Sequence, residues 1–376
     1  MTGPLNGVVT LSLAETLPGP FATMLLAELG ADVVLVERPG AGDPARSWPH
    51  VFASLAHNKR SICLNLKKPE DKEKFVGLVA TADVVVEGYA PGTVTKLGVD
   101  YDTLRAVKPD LIYASISGFG QTGPYRDRPA HDVSTQAIAG LMADQARRAA
   151  GTPITPWADL ASGVFAALSI VTALYARDAT GKGTYIDVSM ADTLVSLMMP
   201  WIVPAVNKGL ALDISSGPAY GSFDCSDGRA LTLSIAYEDN FWHSLCQAIN
   251  LPEQAELKFG ARLKQSPALR ALVAQRISTQ PSVHWANLFD AHRIPWSPIN
   301  SLEDVANDRH FRDRGLFDTI ADSAGKSEVY VRQPLLFSAF SRPLFKPAPA
   351  LGEHTEEILG APAKLRGGSE RRVILR

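Results

Sequence analysis

The feature that most constrains this chain is an alternation of periods in its first third. Val8–Leu13 (VVTLSL) is a short β-branched run. Pro18-Gly19-Pro20 and the helix-forming FATMLLAELG follow, and ADVVLVERPG returns as a near-continuous apolar run ending in charge and a Pro-Gly turn. Strand, helix and strand within about thirty residues make a βαβ unit, which requires a parallel sheet with helices on its faces. The pattern then repeats. SICLNL predicts a strand, PEDKEKFVGLVAT an amphipathic helix, ADVVVEGY a strand, TVTKLGVDYDTLRAVKP a broken helix and LIYASISGFG a strand. The expected fold is α/β: a doubly wound, Rossmann-like large domain whose first part fills roughly residues 5–125.

At about 150 residues per domain, 376 residues leave room for more than this unit. Residues 130–150 predict a helix. ADLASGVFAALSIVTALYARDA predicts a long buried one, with Ala158, Ala161, Phe165, Leu168 and Val171 recurring at three- and four-residue spacing. GKGTYIDVSM turns back into a strand, and ADTLVSLMMPWIVPAV predicts another helix. A turn-rich stretch and the alternating RALTLSIA open a smaller α+β domain. The expected division is a large domain over 1–214, to which 331–376 return, and a small domain over 215–330.

Charge and cysteine usage remove several classes of function. Lys+Arg 37 against Asp+Glu 39 gives a net charge of −2, without the basic footprint of a nucleic-acid binder. The 46% hydrophobic content with so little net charge is that of a folded chain. Cys63, Cys225 and Cys246 cannot all pair and show no C-x-x-C spacing, so they read as reduced, buried residues. The N-terminus has no basic start or long apolar run, and no charge-free stretch reaches about 20 residues. The expectation is a cytoplasmic, soluble protein with neither nucleic acid nor membrane as partner.

The loops after the predicted strands gather the special residues, as a doubly wound sheet requires of its ligand site. SGFGQTGP has glycine spacing but is followed by Pro124, so it does not open a dinucleotide-binding helix. Neither a G-x-S-x-G elbow nor a phosphate loop occurs, and the eight histidines show no metal spacing, so no metal is expected. Asp159 stands out because it follows Pro156 and Trp157 and precedes an almost wholly apolar helix. It reads either as a helix cap or as a carboxylate kept ionised in an apolar pocket at a positive helix end. His131 reads as a loop residue, and Asp132 as the N-cap of the helix that follows.

Taken together, GPFATMLLAELGADVVLVERPGAGDPAR, NKRSICLNLK, ADVVVEGYAPGTVTKLGVDYDTL, LIYASISGFGQTGPYRDRPAHD, WADLASGVFAALSIVTALYARDATGKGTYIDVSM and LGEHTEEIL carry a resemblance over nearly the whole chain. The chain resembles the family III CoA-transferases, the formyl-CoA transferase and carnitine CoA-transferase group, which share their fold with α-methylacyl-CoA racemase. The resemblance implies transfer of CoA between a thioester and a free carboxylic acid. Asp159 is then the nucleophile that forms acyl anhydride and CoA-thioester intermediates. It implies CoA contacts at Arg38, at Leu64 and Lys67, at Lys96 and Leu97, and at Tyr89, where Gly88 replaces the family's Asn. It further implies an interlocked homodimer, CoA esters as substrates and no tightly bound cofactor.

A racemase of the same fold would use His131 with Asp132, Asp159, and Glu238 in SIAYEDNFW to move a proton. The racemase pattern G-H-D-I-N-Y is not kept around His131, where Ala130 and Val133-Ser134-Thr135 stand. Gln136-Ala137 follows the transferase habit, and Thr155 replaces the racemase Asn. The run of consecutive glycines that covers the site in some transferases is absent as well. Transfer, racemisation and CoA-ester binding without turnover are the three readings.

Overall fold

The computed structural model describes residues 3–143, 155–209, 217–321 and 327–360. They fall into two compact units, Met1–Ile202 with Gly315–Arg376, and Val203–Arg314.

The larger unit is built on six strands: β1 (Val9–Ser12), β2 (Asp32–Glu37), β3 (Lys59–Cys63), β4 (Val84–Glu87), β5 (Ile112–Ser117) and β6 (Thr184–Ser189). They run parallel in the order β3-β2-β1-β4-β5-β6. The order reverses at β1/β4, which is the switch point of a doubly wound sheet. Both faces are covered, so the strands are apolar on both sides rather than alternating. On one face Val33, Val84, Val86, Ile112 and Ala114 meet Ala22 and Leu26 of the Pro18–Glu28 helix and Ala166 and Ile170 of the Trp157–Thr180 helix. On the other, Leu11, Val34, Val85 and Tyr113 meet Phe75, Leu78, Leu104 and Ile358. The broken helix appears as Thr93–Leu97 and Tyr101–Val107, separated at Gly98, whose φ of +71° ends the first segment.

Three expectations need revision. SICLNL starts too late, since β3 begins at Lys59 and ends at Cys63. The helix expected over 130–150 covers Asp132–Ile138, and 144–150 lie outside the described residues. The long helix buries a different stripe from the one its spacing suggests. Ala158, Ser162, Gly163, Ala166, Ala167, Ile170, Leu174 and Arg177 face inward, while Leu168 is 59% exposed. The helix is apolar nearly all round, so size rather than hydrophobicity selects its packing face. A Cβ on Gly163 would lie 2.8 Å from the Pro18 carbonyl oxygen and 2.9 Å from the Phe21 ring. By length and composition this helix could cross a membrane. Here it packs in the layer over the sheet and closes with Arg177 paired to Asp83 at 3.0 Å.

The chain returns to the larger unit after residue 314 and fastens along β3, the edge strand. The Lys346 amide donates to Asn58 Oδ1 (2.6 Å), the Gly352 amide to Ser61 Oγ (2.9 Å) and the His354 amide to the Ser61 carbonyl (2.9 Å). Ser61 N–H and Cys63 N–H donate back to His354 Nδ1 (3.3 Å) and Thr355 Oγ1 (3.0 Å). Edge groups that would otherwise invite another strand are thereby satisfied.

The smaller unit is α+β. An antiparallel sheet of Ala219–Asp224, Ala230–Ile235 and Trp296–Pro298 packs on helices that contribute Trp242, Leu245, Val273 and Phe289 to one core.

Candidate active site at the carboxyl ends of the parallel strands

The loops after β1 and β4 face each other across the switch point. A Cβ on Gly88 would lie 3.5 Å from Ala14 Cβ, and one on Gly19 only 2.1 Å from it, so the β1 loop turns tightly into the following helix. Thr16 takes φ +69° there, a left-handed conformation that costs a β-branched residue energy. Asp43 holds it in place, because its carboxylate accepts from the Thr16 amide (3.0 and 3.2 Å) and the Ala45 amide (2.8 Å). The Asp43 amide in turn donates to Glu37 Oε1 at 3.0 Å. Arg46 grips both Glu37 oxygens at 2.7 Å and Ser61 Oγ donates at 2.5 Å. Burial pushes the Glu37 carboxyl up, but the bonds from Arg46, Ser61 and Asp43 outweigh it and hold the group below the usual range.

Arg38, just past β2, is exposed and donates from Nε to the Gly42 carbonyl at 2.9 Å. Among the described residues no other hydrogen bond engages its guanidinium. Burial, followed by the charges of Glu15 and Glu87, pushes the Tyr89 phenol up to about 12, with Arg38 opposing. Arg38 also opposes the burial that raises Glu15. Arg38, Tyr89 and Glu15 therefore share one electrostatic neighbourhood. Leu64, Tyr89 and Leu97 pack on the same apolar cluster. Lys67 and Lys96 remain solvated, on the segments that follow β3 and β4.

Asp159 lies in the first turn of the Trp157–Thr180 helix, whose N-cap residue, Pro156, has no side chain that can cap it. The cap comes from another segment. Asp132 Oδ1 accepts from the Ala158 amide (2.8 Å) and the Asp159 amide (3.3 Å), and Gln136 Nε2 fixes the other oxygen of Asp132 at 2.5 Å. This corrects two expectations. Asp132 is the first residue of its own helix, where His131 is the N-cap, and it caps the helix of Asp159 instead. At Asp159 the expected low value at a helix end is not found: burial, then the Asp132 charge, pushes its carboxyl up to about 7.

His131 is exposed; its amide donates to Ser134 Oγ (3.0 Å), which donates back to its carbonyl (2.7 Å). A Cβ on Gly118 would lie 2.4 Å from Ala130 Cβ, so the glycine loop after β5 abuts the residue before His131. Glu238 belongs to the smaller unit, where it is the N-cap residue of the Asp239–Ala248 helix and its Oε2 accepts from the Ala236 amide at 2.9 Å.

One group escaped the sequence reading. In the parallel register Glu87 pairs with Ser115 and Ser115 with Asp187, so three polar side chains form a row across β4, β5 and β6. Ser115 donates to Glu87 Oε1, and the Tyr89 amide donates to Glu87 Oε2 at 2.8 Å. Burial, with the Asp187 charge added, pushes Glu87 up to about 7. The only sequence signal is an acid closing the apolar VVVE. Among the described residues, no group of three or more His, Cys, Asp or Glu side chains could hold a metal ion.

The chain is similar to known proteins over most of its length. The model of CoA-transferase family III matches residues 5–355. Succinyl-CoA:glutarate CoA-transferase of Mus musculus is 36% identical, covering 95% of this chain and 86% of the mouse protein. Acetyl-CoA:oxalate CoA-transferase of Acetobacter aceti is 36% identical over 81% of this chain and 83% of its own. Succinyl-CoA:mesaconate CoA-transferase of Haloarcula marismortui is 34% identical over 95% and 96%. Among solved structures, a CAIB/BAIF family protein from Brucella suis superposes with a TM-score of 0.84 at 31% identity, covering 97% of this chain and 100% of its own. The chain belongs to CoA-transferase family III.

Proposed function

We propose that this CoA-transferase works through a covalent intermediate on Asp159. The observation that carries the reading is the pairing of Asp159 with Asp132 at an apolar helix start, with Asp159 pushed up to about 7. A carboxylate of that basicity is a stronger nucleophile than an ordinary one and is still substantially ionised at neutral pH. Its oxygen attacks the thioester carbonyl; the C–S bond breaks and CoA leaves as thiolate, giving a mixed anhydride. The thiolate then attacks the aspartyl carbonyl of that anhydride. The donor acid departs as a carboxylate, and an aspartyl-CoA thioester remains.

The acceptor carboxylate repeats the sequence in reverse. It attacks the aspartyl thioester and expels the thiolate, which then takes the acceptor acyl group and restores Asp159. Energy is carried in the thioester throughout, so the reaction needs no ATP. It does need water excluded from the anhydride, and the apolar Ala158, Leu160 and Ala161 beside Asp159 serve that end. Amides of the Gly118–Gly120 loop are the candidate donors to the tetrahedral oxyanion.

Arg38 binds the CoA phosphates, supported by Lys67 and Lys96, with Leu64, Tyr89 and Leu97 along the apolar part of the ligand. Relatives acting on glutarate, oxalate and mesaconate favour a dicarboxylic acid as one substrate. They also favour transfer over racemisation and over binding without turnover. The enzyme acts as a homodimer, a reading supported by the exposed stripe Val164, Leu168 and Tyr175 on the long helix.

The test is Asp159→Ala with succinyl-CoA and a panel of dicarboxylic acids. Transfer should vanish, and hydroxylamine should convert Asp159 to a hydroxamate, seen by peptide mass, only in the wild-type enzyme incubated with acyl-CoA. Near-normal transfer by the variant would remove Asp159 from the mechanism. Rapid α-deuterium uptake from D2O into a 2-methylacyl-CoA without any acceptor would instead favour the racemase reading with His131 and Glu238.

A further inference from the structure

Glu87 is 2% exposed and is bound by two donors, one in the turn after β4 and one in strand β5. One is the Tyr89 amide, which fixes the turn carrying the aromatic ring on the apolar cluster beside Leu64 and Leu97. The other is the Ser115 hydroxyl, which also accepts from Gln121 Nε2 at 2.9 Å. Gln121 belongs to the glycine loop after β5, and its own amide donates to Asp187 Oδ2 at 2.9 Å. Gly120, with φ +82°, passes so close that a Cβ there would sit 3.5 Å from Asp187 Oδ2 and 3.4 Å from Ser189 Cβ. The glycine loop is thus fastened from below at two points, onto a row of three side chains that the sheet register itself lines up.

We propose that Glu87 is a positioning residue for CoA transfer. One buried carboxyl group holds the Tyr89 turn on one side of the crevice and, through Ser115 and Gln121, the Gly118–Gly123 loop on the other. This rests on the transferase reading above, in which Tyr89 lies along CoA and the glycine loop supplies amides to the oxyanion. Polar bonds deep in a sheet stabilise little beyond what an apolar row would, but they fix geometry, because a half-satisfied network is costlier than either alternative. Positioning of this kind acts on the reaction rate, since small displacements of oxyanion donors weaken them steeply.

The experiment compares the full-length wild type with Glu87→Ala and Glu87→Gln, measuring kcat, KM for both substrates and amide hydrogen exchange over residues 88–90 and 117–123. Glu87→Ala should lower kcat about tenfold and raise KM for the acyl-CoA several-fold, leaving KM for the free acid within twofold. Exchange at both loops should quicken. Glu87→Gln keeps one acceptor for the Tyr89 amide and an amide group to bond Ser115, so it should stay within about threefold of wild-type kcat. A purely structural role would reduce the amount of folded enzyme without this split between the two KM values and without rescue by Gln. Wild-type turnover combined with a Glu87→Ala variant unchanged in kcat, or unchanged in loop exchange, overturns the assignment. No transfer by the wild type on any acid pair sinks the transferase reading instead, whatever the variants do.

Discussion

Strand β1 is flanked by two strands that both end in a buried glutamate, and the two acids are pushed in opposite directions. Glu37, closing β2, is gripped by Arg46 through both oxygens and lies below its ordinary range. Glu87, closing β4, has Ser115 and the Tyr89 amide as its hydrogen-bond partners among the described residues and rises to about 7. Burial is severe for both; what differs is the cation. On the β2 side acids are neutralised and tie loops together. On the β4 side, and at the Asp132–Asp159 pair, the neighbouring charge that acts on the raised carboxyl is another acid, Asp187 or Asp132. Both glutamates anchor loops, and an arginine decides whether such an acid is held below its ordinary range or left above it.

The largest effect is expected from turning the first kind into the second. Arg46→Ala leaves Glu37 buried beside Ser61 and the Asp43 amide alone, at a cost of about 3 kcal/mol in unfolding free energy near neutral pH. In the wild type, the stability contributed by a depressed Glu37 is present above its unfolded value of 4.5 and lost as pH falls through its folded one. Urea unfolding between pH 3 and 8 should show the sign reversed in the variant, whose Glu37, now raised by burial, lowers stability as pH rises above 4.5. Equal stability of the two proteins at pH 7 would mean that Arg46 is not what neutralises Glu37.

Arg38 stands between the two regions with its guanidinium still available. Arg38→Ala should weaken CoA-ester binding by about 1.5–3 kcal/mol, the scale of a charge-assisted hydrogen bond. The change should appear in KM for the acyl-CoA and hardly in KM for the acid. Equal weakening of both would move Arg38 to the acyl end of the crevice.

A smaller effect sharpens the contrast in stability. Asp159 ionises near 3.8 when unfolded but near 7 when folded, so it increasingly destabilises the fold as pH rises through that window. Asp159→Asn should be more stable than wild type at pH 8 by on the order of 1–3 kcal/mol, discounted for partial solvation, and equal to it at pH 4. A difference independent of pH would refute the shift. Last, Asp132→Asn keeps an oxygen for the Ala158 and Asp159 amides but removes the neighbouring charge. The pH midpoint of kcat should fall by less than about one unit, while Asp132→Ala should also lose a cap worth about 1 kcal/mol.

Much of the architecture was legible because it is written in local runs. VVTLSL, ADVVLVE, ADVVVE and LIYASIS are each too apolar and too short to be anything but strands buried on both faces, and their alternation with helices demands a parallel sheet. Asp159 stood out as an acid at the start of an apolar helix. What could not be read were facts of register and of partnership between distant segments. The row Glu87–Ser115–Asp187 exists only because three strands pair at one level. Asp132 looks like a cap for its own helix, yet it caps one that begins 25 residues later. The stripe on the long helix was misplaced for a different reason: where nearly every position is apolar, periodicity carries little information, and close approach at Gly163 decides the face.

The return of the chain onto β3 has a consequence in time. Ser61 and its partner His354 are separated by 293 positions, and the whole smaller unit is made between them. At roughly 5–20 residues per second, a growing chain carries β3 for about 15–60 s before its covering segment exists. For that interval the edge strand, KRSIC, is uncovered, with the charge of Arg60 on it to discourage pairing with another chain.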